Sequence, residues 1–567
     1  MLRAICDGIE HGENIGCKGD FRRSTWSTNA PTSFVFGEQV TDAIADWVVK
    51  GFAYGPIDKS EAPPNIKVNG IMCKEKPNGS VRVILNLSAP IGSSVNEGID
   101  EKEFPATMSS TTKWLRVLNK AGRGCNICKT DWSDAYKHIT VRQEDLCLQW
   151  FEWLGKLFCE LCLIFGSKSS VGLYDRVAKL VLYIVCKESG MPQDMVCQHL
   201  DDCAAAAPDN SPLLEQFDNC FQRIASELGI SLAPRDDPDK AFGPSKKGTV
   251  FGVHYDTLDW TWAIPQEKLI RLLHKLAECL KEGSITQGDM MSICGKILDV
   301  KPLVPQGRFH IDYILLAAAQ SNVKSDIVTI DDKLHQQLLY WFTMLRACSG
   351  KVTIPNPDQK LPAWAINFYT DASGGGLDSN GRRCGKGVGA VGPKWWSYIP
   401  WSKRVCTGPV MSDGKRLNRK MSALELIGPL LVLSAGFDIC KGQPVTVWVD
   451  NSGSVGIWRK GYSTSCRLCS TIVKACATIA SGLGCSLDIR KITRCSTTQA
   501  DMADALSKGA FNRFWDISRE SSSDLNIEPA WIPPQLTAWL ENPQEDDHLG
   551  DRILAGIGRK TRLLHSM

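Results

Sequence analysis

Met195 to Ala207 is an apolar run interrupted at its centre by two adjacent carboxylates, His199-Leu200-Asp201-Asp202-Cys203. No other feature constrains the fold as much. Two acids side by side in a buried β-hairpin repel one another and lose their hydration, at a cost of several kcal/mol unless a cation neutralises them. Hard divalent cations do this, and Mg²⁺ is the usual choice where phosphates share the coordination. Two such ions about 3.5–4 Å apart stabilise the attacking and leaving oxygens of phosphoryl transfer. A solvated turn is the competing reading of an isolated Leu-Asp-Asp, so its context decides between the two.

The context is a chain of 567 residues, too long for one ordinary core, and two to four domains are expected. Hydrophobic residues at 43% and charged residues at 22% exclude a disordered chain. A net charge of +3 neither demands nor excludes a nucleic-acid partner, because acidic metal sites can offset a basic channel. Met1 to Asp7 carry no apolar leader, and the longest apolar run, Leu430 to Ala435, is far short of the ~20 residues of a membrane span. An intracellular protein without a membrane partner is expected. The 23 cysteines are scattered. Three CxxC pairs, Cys125/Cys128, Cys159/Cys162 and Cys466/Cys469, lie in apolar runs and read as buried thiols rather than zinc ligands.

Organisation follows from periodicity. Val40 to Val49 reads as an amphipathic helix. Ile71 to Cys73 and Val81 to Leu85 read as strands joined by the turn Lys76-Pro77-Asn78-Gly79. Short β-type and helical runs alternate from about 125 to 255, as in an α+β sheet domain. Residues 266–283 and Asp289 to Ile297 have helical spacing. After Pro355-Asn356-Pro357 comes a second α/β block. In it Ala365 to Thr370 is a strand, Ser422 to Ser434 a helix and Val445 to Val449 a buried strand. The stretch with Pro533-Pro534 and Glu541 to Asp547 reads as a loosely packed tail.

A first group of acids joins Asp201 and Asp202 to Asp131, which follows an apolar strand in Lys129-Thr130-Asp131-Trp132-Ser133-Asp134-Ala135-Tyr136. A second comprises Asp371 at a strand end in Tyr369-Thr370-Asp371-Ala372-Ser373, Glu425 at the start of a helix, Asp450 after a buried strand and Asp504 in Ala503-Asp504-Ala505-Leu506-Ser507-Lys508. Four acids on strand ends and helix starts can converge on one sheet edge and hold two cations against an RNA phosphate. Each fragment alone is more often structural.

In this order the motifs of the first block, over about 190 residues, resemble reverse transcriptases, and those of the second, over roughly 150, resemble RNase H. The resemblance implies an α+β multidomain fold: a right-hand polymerase with fingers, palm and thumb, then a connection and an α/β RNase H-like domain. The implied bounds are 1–64 for an N-terminal extension, 65–255 for fingers and palm, 256–360 for thumb and connection, 361–512 for the RNase H-like domain and 513–567 for a tail. Lys76 to Val83 is similar to the fingers hairpin, and there Lys74 and Arg82 would hold the incoming triphosphate. Tyr136 matches the aromatic residue under the sugar that excludes a 2′-hydroxyl. Phe165-Gly166-Ser167-Lys168-Ser169-Ser170 resembles a segment contacting nucleotide and template. Thr249-Val250-Phe251-Gly252 resembles a strand that grips the primer end. Lys240 is a candidate basic residue of the intervening motif.

Asp131, Asp201 and Asp202 are thus the expected polymerase metal ligands, and Asp371, Glu425, Asp450 and Asp504 the expected nuclease ones. Each site would hold two Mg²⁺, with Mn²⁺ possible. Asp501 competes with Asp504, and Ser373 and Asn451 are candidate RNA contacts. Partners would be an RNA template, a DNA or RNA primer, RNA–DNA hybrid, deoxynucleoside triphosphates and other element-encoded proteins such as a recombinase. Basic residues of the helix near Lys268 to Lys281 would touch phosphates.

There are departures from the pattern. His199 replaces the usual Tyr, Val171-Gly172 stands where many relatives have Ala-Pro, Asn86 where many have an acid, and Arg494 to Gln499 lacks the customary His or Asn. Ser94 to Ile99, Ser169 to Asp175 and Trp539 to Pro543 look like the DIRS-type, tyrosine-recombinase retrotransposons. Two other functions fit the same sequence: a silent, domesticated copy serving as a nucleic-acid-binding scaffold, and a polymerase with an inactive RNase H.

Overall fold

The computed structural model describes residues 2–19, 24–75, 79–347, 351–358, 361–374, 387–407, 414, 420–521 and 527–566. The chain is a mixed α+β multidomain protein that divides into two compact units. One comprises Met1–Pro265 with Val352–Asp358, the other Gln266–Lys351 with Gln359–Met567.

In the first unit α1 (Gly37–Val49) covers the expected helix. Strands β1 (Lys67–Glu75) and β2 (Val81–Asn86) form the antiparallel hairpin, with Lys74 opposite Arg82. Lys76, Pro77 and Asn78 of its turn lie outside the described residues. The residues before position 65 are built into this unit: Thr25–Trp26 pairs with β1, and Ala53–Ile57 pairs with Lys156–Glu160.

The following sheet places the acids. Its members are β3 (Asn126–Asp131), β4 (Val196–His199), β5 (Asp202–Ala207) and β6 (Phe242–Ser245), in the order β6-β3-β5-β4. Cys203 and Ala204 to Ala207 are at most 4% exposed. Their small side chains allow helix Leu213–Glu227 to pack on β3 and β5, and helix Thr111–Ala121 to pack on β4 and β5. The β4–β5 connection is a tight turn with Leu200 at φ +54°. A hairpin follows, β7 (Lys247–Val250) and β8 (Val253–Asp256).

In the second unit α2 (Gln266–Glu282) buries Leu269, Leu272, Leu276 and Cys279, a stripe at helical spacing. The unit's sheet consists of β9 (Ile366–Ala372), β10 (Gly387–Gly392), β11 (Trp395–Pro400), β12 (Pro444–Val449), β13 (Ser486–Lys491) and the short Glu528–Pro529. The strand order is β13-β12-β9-β10-β11 and then Glu528–Pro529. β9, β12 and β13 run parallel, whereas β10 and β11 are antiparallel to their neighbours in the β9-β10-β11 run.

Helix α3 (Met421–Ala435) is buried from Ala423 onward, packed between this sheet and α4 (Arg467–Gly482). A helix apolar on every face belongs in such an interior. Helix α5 (Thr498–Ser507) lies across β9 and β10. The C-terminal stretch is not the loose tail expected from its prolines and acids. Helix Pro534–Glu541 buries Leu536, Trp539 and Leu540, and helix Leu549–Ser566 buries Leu549, Ile553 and Ile557, all in the main core of this unit. Apolar residues at three- and four-residue spacing decided the outcome over the polar ones between them.

Candidate active sites

Strand pairing assembles the first site. Asp131, the last residue of β3, is directly opposite Asp202, the first residue of β5. Asp201 occupies the turn before β5, and its carbonyl accepts from the Trp132 amide at 3.3 Å. Three carboxylates therefore meet at one end of the sheet. Burial, with the Asp201 and Asp202 charges adding to it, pushes the Asp131 carboxyl up to about 6. Asp201 is more open to water, yet the protein around it and the charge of Asp202 raise it as well. Lys129 is buried beside them, its Nζ 2.9 Å from Asp202 Oδ1 and 2.9 Å from the Asp239 carbonyl that accepts its bond. Among the described residues Lys129 is the cation paired directly with these acids, Lys240 and Arg82 acting from farther away, and a carboxylate cluster so incompletely paired suits a cation site.

Aromatic rings pave the approach. The Tyr136 ring is 4.8 Å from Phe165 and 5.6 Å from Tyr174, and the Arg82 guanidinium caps Phe165 at 4.7 Å. Burial and then the Asp201 charge push the Tyr136 hydroxyl up to about 12. Arg82, Phe165, Tyr136 and Asp201 thus share one neighbourhood, with Lys74 beside Arg82 across the hairpin. Two like charges directly opposite one another destabilise a ladder unless an anion joins them. The carbonyl of Gly166 accepts from Asn96 Nδ2 at 2.7 Å. Lys240 is near enough to oppose the rise at Asp131.

Other expected residues are placed differently. Ser169 is fully buried, its Oγ 3.0 Å from Ser167 Oγ at the start of helix Ser170–Ser189. Phe251 and Gly252 are the turn between β7 and β8, not strand residues. Both have positive φ, +49° and +76°, the geometry that lets a two-residue turn follow strand twist. Phe251 does lie near the acids' hairpin, its ring 5.5 Å from His199. His199 Nδ1 is 2.9 Å from the Ser109 carbonyl, to which its N–H donates. Asp134 is exposed at φ +52°.

Four separate elements build the second site. Asp371 is on β9, Glu425 one turn into α3, Asp450 just beyond β12 and Asp504 on α5. Two glycines permit the close packing. A Cβ on Gly428, one turn after Glu425, would meet Thr370 Oγ1 at 2.5 Å, and one on Gly389 would meet Leu506 Cβ at 2.5 Å. Bare backbone at these points lets α3 and α5 lie against the strands, and the acids follow.

Ligand atoms of Asp371, Glu425 and Asp450 lie within 4.8 Å of one another. Asp371 Oδ2 accepts from Ser507 Oγ at 2.5 Å, and Glu425 Oε1 accepts from the Ala372 amide at 3.3 Å. Glu425 Oε2 and Asp504 Oδ1 are buried without a hydrogen-bond donor. Burial and the neighbouring Asp371 and Asp450 hold the Glu425 carboxyl well above its usual range, and burial raises Asp371. Orphaned buried oxygens among mutually repelling acids fit a divalent cation. Asp501, 2.7 Å from Arg513 Nη2, faces a different partner, although it and Cys495 each bring a ligand atom within 4.8 Å of one on Asp504.

No family model and no curated protein matches the chain. Several solved structures are similar to it in part. A foamy viral protease-reverse transcriptase in complex with ds DNA is 14% identical over 85% of this chain and 73% of its own, with a TM-score of 0.45. Another such complex with dsDNA is 14% identical over 86% and 88%, also at 0.45. One in complex with RNA/DNA hybrid is 13% identical over 87% and 79%, at 0.36.

Arg494, in the loop between β13 and α5, carries no signal in the sequence beyond lying in a segment that lacks His or Asn. Its Nη2 lies 2.9 Å from Asp450 Oδ2 and 3.5 Å from Asp371 Oδ1, and its Nε lies 3.7 Å from Asp504 Oδ1. Lys508 Nζ donates to Asp504 Oδ2 at 2.6 Å. Lys129 was visible in the same way, two residues before Asp131 and hence on the same strand face. Ser373 and Asn451 have local partners: Ser373 donates to the Ser507 carbonyl at 2.6 Å, and Asn451 caps the helix from Ser452 by accepting from the Ser454 amide at 3.0 Å. The CxxC thiols are buried, and none of the six belongs to a metal-ligating cluster among the described residues. On α2, Arg271 pairs with Glu267 and Lys275 with Asp289, so part of its basic face is already neutralised. Among the described residues no helix is long and apolar enough to cross a membrane.

Proposed function

We propose that the chain is an RNA-directed DNA polymerase with an associated ribonuclease H, encoded by a retrotransposon of the DIRS type. The observation that carries this reading is the presence of two separate carboxylate clusters: Asp131, Asp201 and Asp202 on one sheet, and Asp371, Glu425, Asp450 and Asp504 around another. Its partners are an RNA template, a primer, deoxynucleoside triphosphates and the resulting RNA–DNA hybrid.

Asp131 and Asp201, with Asp202 beside them, would hold the polymerase cations, and the four acids of the second site would hold the nuclease ones. Mg²⁺ in pairs, or Mn²⁺, would supply Lewis-acid stabilisation of the phosphoryl oxygens. The protein's own contributions are positional. Lys74 and Arg82, adjacent across the hairpin, take the triphosphate, Arg82 through its fork. The Tyr136 ring, held between Phe165 and Tyr174, forms the floor for the sugar and leaves no room for a 2′-hydroxyl. His199 and Phe251 face the primer end. At the second site Ser507 and the Ala372 amide fix Asp371 and Glu425, so that the acids are aimed before the RNA strand arrives.

The test is primer extension on an RNA template with and without Mg²⁺, beside Asp201→Asn/Asp202→Asn. Metal-dependent DNA synthesis that the variant loses is the expected result. Absence of synthesis under any metal, from a folded protein that still binds hybrid, would replace this reading with the scaffold.

A further inference from the structure

We propose that Arg494 is a displaceable counter-cation of the second carboxylate site, competing with divalent metal in the free protein and taking a phosphate oxygen of the RNA strand once metal is bound. This rests on the ribonuclease reading of that site. The guanidinium touches Asp450, Asp371 and Asp504 at 2.9, 3.5 and 3.7 Å, three of the four acids. Those acids leave few other cations to balance them, Lys508 on Asp504 being one. Burial works against the charge on Arg494, but the acids outweigh it and hold it firmly protonated.

Arg494 nonetheless does not complete the site. Glu425 is 1% exposed and its Oε2 has no donor, although one of its carboxylate oxygens lies within 4.8 Å of one oxygen each on Asp371 and Asp450. A planar fork on a long stem covers the outer oxygens and leaves the inner one orphaned, whereas a compact ion reaches all three acids. The Arg494 side chain is 52% exposed and is carried on a loop, so water surrounds much of it beyond its contacts with the acids. At the mouth of the site its donors match a phosphate, which guanidinium grips in two-point geometry. An arginine that merely stabilised the loop would have no effect on metal affinity. A competitor must weaken it.

The full chain carrying Asp131→Asn, Asp201→Asn and Asp202→Asn, which removes the first site, is titrated with Mn²⁺ and free metal is read by electron paramagnetic resonance. Arg494→Ala should bind Mn²⁺ about tenfold more tightly than Arg494, and Arg494→Lys should fall between them. At saturating Mg²⁺ the KM of Arg494→Ala for RNA–DNA hybrid should rise about tenfold, with kcat changed far less. Arg494→Gln repeats both measurements should the alanine variant melt early. Equal or weaker Mn²⁺ binding by the variants overturns the inference and leaves the ribonuclease reading standing. An unchanged KM overturns the phosphate contact. Failure of both Arg494 and variant proteins to bind Mn²⁺ at all overturns the inference together with the reading it rests on.

Discussion

The two carboxylate sites solve one electrostatic problem in different ways. The first needs only one sheet: a strand end, the facing strand start and the β4–β5 turn just before that start bring three acids together through β-pairing alone. The cation paired directly with it, Lys129, is buried and fixed on Asp202. The second is assembled from two strands and two helices spread over residues 371 to 504, and of its cations Lys508 pairs with Asp504 while Arg494, which touches three of the acids, is on a loop and half exposed. The first site therefore depends on register and the second on how closely helices approach a sheet. A buried lysine sets a permanent charge balance, whereas a half-exposed arginine on a loop is the one proposed to yield to metal.

The comparison breaks most sharply if the sites are not independent. Asp201→Asn/Asp202→Asn should lower primer extension by at least about a thousandfold, corresponding to loss of several kcal/mol of transition-state stabilisation, while hybrid cleavage persists. Glu425→Gln should do the reverse, abolishing RNA cleavage and sparing DNA synthesis. Parallel gel assays on one preparation read both activities, and a variant that loses both would show that the two centres do not work separately.

The difference in assembly also explains what could be read in the sequence. Asp131, Asp201 and Asp202 were legible because neighbouring residues make the strand, the turn and the pairing that place them. The strand at Val445 to Val449 and the helix at Ser422 to Ser434 were legible from burial and period. Arg494 was not, because a loop residue carries no periodicity and its partners are 44 to 123 positions upstream and 10 downstream. The burial of Ser169 and of the helices after 533 depends on tertiary packing that local polarity conceals. The Phe251-Gly252 turn was hidden because an apolar Val-Phe pair resembles a strand until positive φ is observed.

A smaller effect tests the proposed aromatic floor of the first site. Tyr136→Val removes the ring between Phe165 and Tyr174 and opens space beside the sugar. Ribonucleotide incorporation, read as the ratio of kcat/KM for ribo- and deoxynucleotides, should increase about 10- to 100-fold. An unchanged ratio would remove Tyr136 from nucleotide selection. Close approach, on which the second site depends, is tested by Gly428→Ala. Alanine normally favours a helix over glycine by about 1 kcal/mol. Here its Cβ would meet Thr370 Oγ1 at 2.5 Å, and Thr370 is a β-branched strand residue that cannot turn aside freely. A net loss of about 1–3 kcal/mol is expected by denaturant unfolding, with cleavage reduced more than synthesis. Stabilisation instead would show that α3 does not need the gap.

The smallest effect is that of pH on the metal-free protein. The Asp131 carboxyl is raised to about 6 from an ordinary 3.8, and Asp201, Asp371 and Glu425 are raised as well, burial being the largest cause in each. A raised carboxyl favours the folded state fully only below its unfolded pKa, and that contribution is lost as pH rises through the folded value. The chelator-treated protein should therefore melt higher by about 2–4 °C at pH 5 than at pH 7, against the usual trend for ion-paired acids. Saturating Mg²⁺ should flatten or invert this difference, because metal takes the place of the proton and the two compete as pH falls. Asp131→Asn, which abolishes one of the raised groups, should remove part of the pH 5 advantage, and Glu425→Gln should remove another part. If each substitution takes away a separate share, both carboxylate sites carry uncompensated charge in the absence of metal. If only Asp131→Asn has an effect, Arg494 already balances the second site, and the contrast between the fixed and the displaceable cation is larger than the distances alone indicate.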